Sequence, residues 1–225
     1  MGENADAEEK SKGDIFIMSQ KTKRILMAFI GVIVTGFCVG TFQKASLGTD
    51  PFTCFVTGIG NIFGSSYSTF YVIIMATLLM GVFLADKHYI GLATLINLFC
   101  TGISADVMRG LWDMLIPEPG MGVRVALVFL GVLGSCFSAS LYFTADLGVS
   151  GYDAVSLIIA NKYKLIAFRV CRVLSDLVCV TVGIVFHANV GAGTVITALF
   201  MGPVIQWFNT HVSEPLLYGS EKPRA

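Results

Sequence analysis

Charge is what this chain has least of. Only 13% of its 225 residues are Asp, Glu, Lys or Arg, about half the share of a soluble domain. Ten of those thirty charges fall in residues 1–24 and four more lie beyond Val212, which leaves the body of the chain sparsely charged. Fifteen basic and fifteen acidic residues cancel, so no net field draws the chain to nucleic acid. Paired cysteines are missing as well. Cys38, Cys54, Cys100, Cys136, Cys171 and Cys179 all sit in apolar stretches without the short spacings of a disulfide framework or a metal knuckle, and read as small core residues. His88, His187 and His211 are scattered, and no helix offers two ligands on one face. No metal and no cofactor are therefore expected. Phosphate loops, nucleophile elbows, zinc-protease helices and haem-attachment signatures are all lacking. The chain is expected not to be an enzyme.

What is present is apolar. Hydrophobic residues make up 55% of the chain and mean hydropathy is +0.75, the composition of an integral membrane protein. Apolar spans run over residues 25–45, 67–85, 89–112, 122–145, 166–187 and 191–212, each near the length of about 20 residues that a membrane helix needs. Residues 1–20 are polar and of mixed charge, and read as a disordered tail. Lys21-Thr22-Lys23-Arg24 before an apolar run resembles a signal peptide, but no small-x-small cleavage site follows it.

Displaced by one hundred residues, the chain matches itself without a gap: residues 24–104 and 124–204 agree at 15 of 81 positions. Many matches are glycines or sit where the chain turns, among them Gly31/Gly131, Leu47/Leu147, Gly48/Gly148, Gly91/Gly191 and Thr94/Thr194. Shared composition alone is the competing explanation. The expected fold is an all-α membrane protein of two tandem repeats (about 24–104 and 124–204), each of three transmembrane helices plus one short half-helix. The boundaries are residues 21–116 for repeat 1, 117–212 for repeat 2, and 213–225 for a C-terminal tail.

The half-helices are the apolar pieces 49–63 and 150–161, which reach only roughly 18–23 Å against a hydrocarbon core of about 30 Å. Three full spans per repeat force the second repeat to be inverted; four would make the two parallel. The positive-inside rule admits both. With the N-terminus in the cytoplasm, inversion leaves Lys44, Arg109 and Arg124 outside, and the parallel arrangement leaves Lys44 and Lys87 outside. Segment length favours inversion.

Two constellations carry the candidate chemistry. The first is the pair of half-helix entrances, Gly48-Thr49-Asp50 and Gly148-Val149-Ser150, where unpaired N–H groups and the positive dipole end face whatever lies there. Asp50 and Ser150 are matched positions and good N-caps, so capping alone is the competing role. Asp153, in the first turn, has uncharged Thr53 as its repeat partner. Facing a cavity, it would bind a cation or carry a proton. The second constellation is Arg169, Arg172 and Asp176, whose spacing puts them on one helical face. Their repeat partners are Thr69, Val72 and Ala76, so the charges belong to one half only. Arg172 and Asp176 can pair, leaving Arg169 to meet an anionic ligand or to snorkel to the lipid surface. Asn97 is a weaker candidate, lining a polar path or joining two helices. Gln43 and Lys44 lie at an outer mouth or snorkel, and Asp106, Arg109 and Asp113 read as a solvated face.

The run Leu47-Gly48-Thr49-Asp50-Pro51-Phe52, the segment Tyr89-Ile90-Gly91-Leu92-Ala93-Thr94, the second Ala-x-Leu-Gly entrance, the Arg172-to-Asp176 helix and Gly191-Ala192-Gly193-Thr194 together resemble the YczE/YyaS/YitT family of bacterial multi-pass membrane proteins. The resemblance covers most of residues 22–212. It implies a bacterial inner-membrane location and a compact duplicated bundle, without a settled activity. The reading that follows is a small secondary transporter or permease with both termini cytoplasmic. Its solute is anionic or zwitterionic and binds between the half-helix ends. Arg169 and Arg172 supply positive charge, and Asp153 or Asp176 couples a proton or ion. The alternatives are a channel for a small solute, or a non-transporting subunit that binds a membrane partner or a second copy of itself.

Overall fold

The computed structural model describes residues 20–164 and 168–218; the expected tail at 1–20, apart from Gln20, which opens the first helix, and residues 219–225 lie outside them. Every regular element among the described residues is helical, without a strand. The helices are α1 (Gln20–Ala45), α2 (Pro51–Phe63), α3 (Tyr67–Ala85), α4 (Leu92–Leu115), α5 (Met121–Ala145), α6 (Gly151–Leu157), α7 (Phe168–Val185), α8 (Ala192–Phe208) and α9 (Glu214–Tyr218). A π turn, Ile158–Lys162, continues α6, and another, Asn209–Ser213, joins α8 to α9.

Local chemistry sets these boundaries. Asp50 accepts from the Thr53 N–H, Pro51 opens α2, and Gly64 closes it in the left-handed region at φ 62°. Ser150 caps α6 through the Asp153 N–H. At Gly91 and Gly191 the backbone N–H donates to the hydroxyls of Thr94 and Thr194 three residues on, the threonine half of a capping box, at the starts of α4 and α8.

Among the described residues three helices, α1, α3 and α5, are long and apolar enough to cross a membrane. The other expected spans are more polar or shorter. Asp106, Arg109 and Asp113 lie in α4, Arg169, Arg172 and Asp176 lie in α7, and α8 has 17 residues.

Helix α1 is the central post. It runs antiparallel to α5: Gly31 meets Ser138 and Tyr142, Gly131 meets Phe42, and the Thr35 and Ser138 hydroxyls are 2.5 Å apart. Beside α4 it runs parallel, with Gly36 against Thr101 and Ser104 and Gly40 against Ala105 and Arg109. A Cβ at Gly36 would come within 2.5 Å of the Ser104 Cβ, so close approach of two backbones requires glycine there. The Trp112 indole donates to the Thr41 hydroxyl at 3.0 Å and ties the far ends together.

The entrance loops are clasped by the starts of distant helices. Gly193 N–H donates to Leu47 O at 2.9 Å, and Ala93 N–H donates to Leu147 O at 3.0 Å. Gly48 (φ 108°) lies on Gly191 and Thr194, and Gly148 (φ 105°) lies on Gly91 and Thr94. Short helix α2 packs on α7 through Gly58 and Gly183, and Asn61 donates to Phe186 O and His187 O. Short helix α6 packs on α3 around Met75 and Leu79.

The C-terminus departs from the expected tail at 213. Ser213 bonds Ser140, α9 forms, and Leu217 is fully buried beside Met27 and Ala28. Arg24 donates to the Tyr218 hydroxyl at 3.3 Å, which brings both ends of the described chain to one face. A single apolar residue at the right phase outweighs the polar composition around it.

Candidate functional site

The first turn of α6 and the middle of α7 meet in a charged cluster. The Ser150 hydroxyl accepts from the Asp153 N–H at 3.1 Å and donates to Asp153 Oδ2 at 2.8 Å. This fixes the carboxylate so that its other oxygen pairs with Arg172 Nη1. Arg172 Nε lies 3.6 Å from Asp176 Oδ1, one helical turn along α7. The Tyr152 hydroxyl donates to that same oxygen at 2.5 Å, and the Arg172 guanidinium sits 4.6 Å from the centre of the Tyr152 ring.

Burial makes this arrangement consequential. The Asp153 side chain is 10% exposed, Asp176 17% and Arg172 34%. One guanidinium facing two carboxylates leaves a formal charge of −1 in a poorly solvated place, where an uncompensated charge is costly. Such a cluster is poised to take up one proton or one cation. Its arginine is already saturated by carboxylates, so it offers little to a simple anion.

An aromatic row leads away from the cluster. Tyr152 stacks on Phe52 with ring centres 4.9 Å apart, Phe52 meets Tyr71 edge-on at 6.1 Å, and the Tyr71 hydroxyl donates to Asn97 Oδ1 at 2.6 Å. Phe52 and Tyr152 are matched positions of the hundred-residue offset.

Among the expected site residues, Ser150, Asp153, Arg172 and Asp176 come together, and Asn97 ends the row that starts from them. Asp50 caps the Thr53 N–H at 3.0 Å outside the charged cluster. At the entrances, backbone groups serve the clasp. Val149 N–H donates to Tyr89 O at 3.1 Å, and Thr94 Oγ1 donates to Val149 O at 2.8 Å. Gly48 and Gly148 supply the turns, and the Thr49 hydroxyl lies 3.1 Å from Cys54 Sγ. Arg169 belongs to α7, with its side chain outside what the structure describes. Tyr152, Phe52 and Tyr71 escaped sequence reasoning. An aromatic at both 52 and 152, beside the acid in the first turn of α6, was the available signal. Among the described residues no group of three or more His, Cys, Asp or Glu gathers as a metal site.

Residues 22–210 match the family described as "Family of unknown function (DUF6198)". An uncharacterized protein of Haemophilus influenzae is 27% identical over 188 residues, covering 83% of either chain. The "Uncharacterized protein YyaS" of Bacillus subtilis is 23% identical over 180 residues, covering 80% of this chain and 89% of its own. No solved structure matches.

Proposed function

From a chain that belongs to the DUF6198 family, whose YyaS relative is itself uncharacterized, we propose a small secondary transporter of the bacterial inner membrane. It couples a proton or cation to a small anionic or zwitterionic solute. The observation that carries this reading is the Asp153–Arg172–Asp176 cluster, built on one half of an otherwise repeated scaffold. With both carboxylates ionised the cluster is negative. One proton leaves a neutral carboxyl beside one ion pair, a state that crosses low dielectric at far lower cost. Protonation and solute binding thereby license the same movement.

Two inverted repeats supply that movement, by rocking of one against the other. Reciprocal contacts support the inversion. Gly31 on Tyr142 is answered by Gly131 on Phe42, and Leu47 under Gly193 by Leu147 under Ala93. A two-fold axis across the antiparallel α1 and α5 would relate these pairs. Both termini then lie in the cytoplasm.

The test is reconstitution into liposomes holding a pH-sensitive dye. Outward addition of an anionic or zwitterionic solute should acidify the lumen saturably, and Asp176→Asn or Asp153→Asn should abolish the proton signal while the variant stays folded. Solute flux that rises without saturation would make the protein a channel. Solute-coupled proton uptake that survives the double Asp→Asn variant would remove the cluster from the mechanism.

A further inference from the structure

Lys44, Arg109 and Arg124 are the three cations that the inverted arrangement leaves on the outer side, against the usual bias. In the folded chain they gather. All three line one polar pocket of about 200 Å³, with Gln43, Ser46, Asp113, Pro117 and Pro119. A second pocket of about 170 Å³ shares Gln43, Ser46 and Arg109 with it and runs inward past Thr57, Asn61 and Tyr67. The two are lobes of one site hinged on Gln43 and Arg109.

The outer lobe carries an excess of positive charge. Its one carboxylate, Asp113, is held by Lys44 Nζ at 2.6 Å, and Arg124 donates through Nε to Pro119 O at 3.1 Å. Arg109 has no carboxylate within ion-pair distance among the described residues, although Asp113 lies one helical turn away. Neither Asp106 nor Glu118 lines either lobe. The inner lobe carries unspent hydrogen-bonding capacity. Among the described residues Gln43 Nε2 and Oε1 and the Thr57 hydroxyl are shielded from solvent and have no hydrogen-bond partner, a cost that a bound polar molecule would relieve. The other half of the chain does not repeat this chemistry: the positions matching Gln43, Lys44 and Arg109 are Phe143, Thr144 and Asn209.

We propose that this two-lobed pocket is the solute site, and that its solute is a small hydroxycarboxylate. The carboxylate meets the planar fork of Arg109, and the hydroxyl or second polar group reaches Gln43, Thr57 and Asn61. The site is separate from the Asp153–Arg172–Asp176 cluster, so one binds the anion and the other holds the proton. The inference rests on the transport reading for its purpose only, because binding is measurable without flux.

The experiment is thermal stabilisation and titration calorimetry of the purified protein with L-lactate, malate, gluconate and inorganic phosphate, with glycerol and choline as controls. A hydroxycarboxylate should raise the melting temperature of the parent by mass action. Arg109→Gln should weaken binding about tenfold or more, and Gln43→Leu should weaken it independently should the arginine variant fail to fold. Gly81→Ala, at a position with open space around it and away from both lobes, should bind as the parent does. Silence of the parent with all three hydroxycarboxylates up to about 10 mM would overturn the inference, as would affinity unchanged in Arg109→Gln and Gln43→Leu. Stabilisation by phosphate alone would also overturn it, marking a site for inorganic anions. Binding lost in those variants without any flux in liposomes would uphold the pocket and refute transport. Coupled flux untouched by Arg109→Gln would do the reverse.

Discussion

Arg172 illustrates how one side chain holds a site together. Removing it by Arg172→Ala leaves Asp153 and Asp176 facing each other without a counter-charge, and should cost about 2 kcal/mol or more, read as a fall in melting temperature of the purified protein. The further variant Arg172→Ala with Asp153→Asn and Asp176→Asn removes the charges together and should recover most of that loss. Equal destabilisation in both would mean that the arginine acts by packing rather than by charge. Asp113 makes a second case, one residue beyond the apolar run of α4. Its hydrogen bond from Lys44, aided by the Lys44 and Arg109 charges, holds the carboxyl below its ordinary value of 3.8. A lowered folded-state value means that the pair stabilises the fold above pH 3.8 and loses that contribution as pH falls through the folded value. The gap in melting temperature between the parent and Lys44→Met should therefore be present at pH 6 and close on acidification. Asp113 is exposed, so the gap should be small, but its direction is fixed.

Among the elements, the two entrance loops do the most with the least. Gly148 has φ 105°, and a Cβ there would come within 2.5 Å of Gly91 N and 2.6 Å of Thr94 Oγ1. Gly48 has φ 108°, and its Cβ would meet Gly191 N at 2.7 Å. Gly148→Ala and Gly48→Ala should each destabilise by about 3 kcal/mol or more, whereas Gly81→Ala, in α3 with open space around it, should be neutral or slightly stabilising. Comparison of the three melting temperatures separates the clasp from ordinary helix propensity. These loops also mark how far the sequence could be read. Both short helices start one or two residues inside the expected segments because Asp50 and Ser150 are capping residues of known geometry, and α3 matches its expected span at both ends. The clasp partners, more than forty residues away, carried only the repeated Gly-x-x-Thr as a trace. Nothing local says that a loop will lie on Gly191 rather than meet a ligand. The charged cluster was legible as a spacing on α7 and an acid on α6. Its closure depends on packing between helices, which no periodicity records. The contribution of Tyr152 was hidden because an aromatic in an apolar stretch is ordinarily core.

At the scale of the whole molecule, the arrangement of the halves decides what the protein can do. Parallel halves would give two similar faces on one side of the membrane, whereas inverted halves give one equivalent face on each side, a plan on which alternating access is commonly built. Helix α1 sets the argument, being antiparallel to α5 and parallel to α4, with Arg24 and Tyr218 bringing the two ends together. Two loop positions distinguish the arrangements. With the N-terminus in the cytoplasm, inversion puts Glu118, between α4 and α5, outside and Lys87, between α3 and α4, inside; parallel halves exchange them. Single cysteines at these positions, in a background freed of the six native ones, should react differently with a membrane-impermeant maleimide on intact cells. Glu118→Cys should be labelled from outside, and Lys87→Cys only after the membrane is opened. The opposite pattern would set Lys87 outside and Arg109 and Arg124 inside. With α1 parallel to α4, the three cations would then share an inner mouth and both termini would lie outside. Under inversion the same result accounts for the exception to the positive-inside bias, because Lys44, Arg109 and Arg124 surround one cavity where positive charge has something to bind.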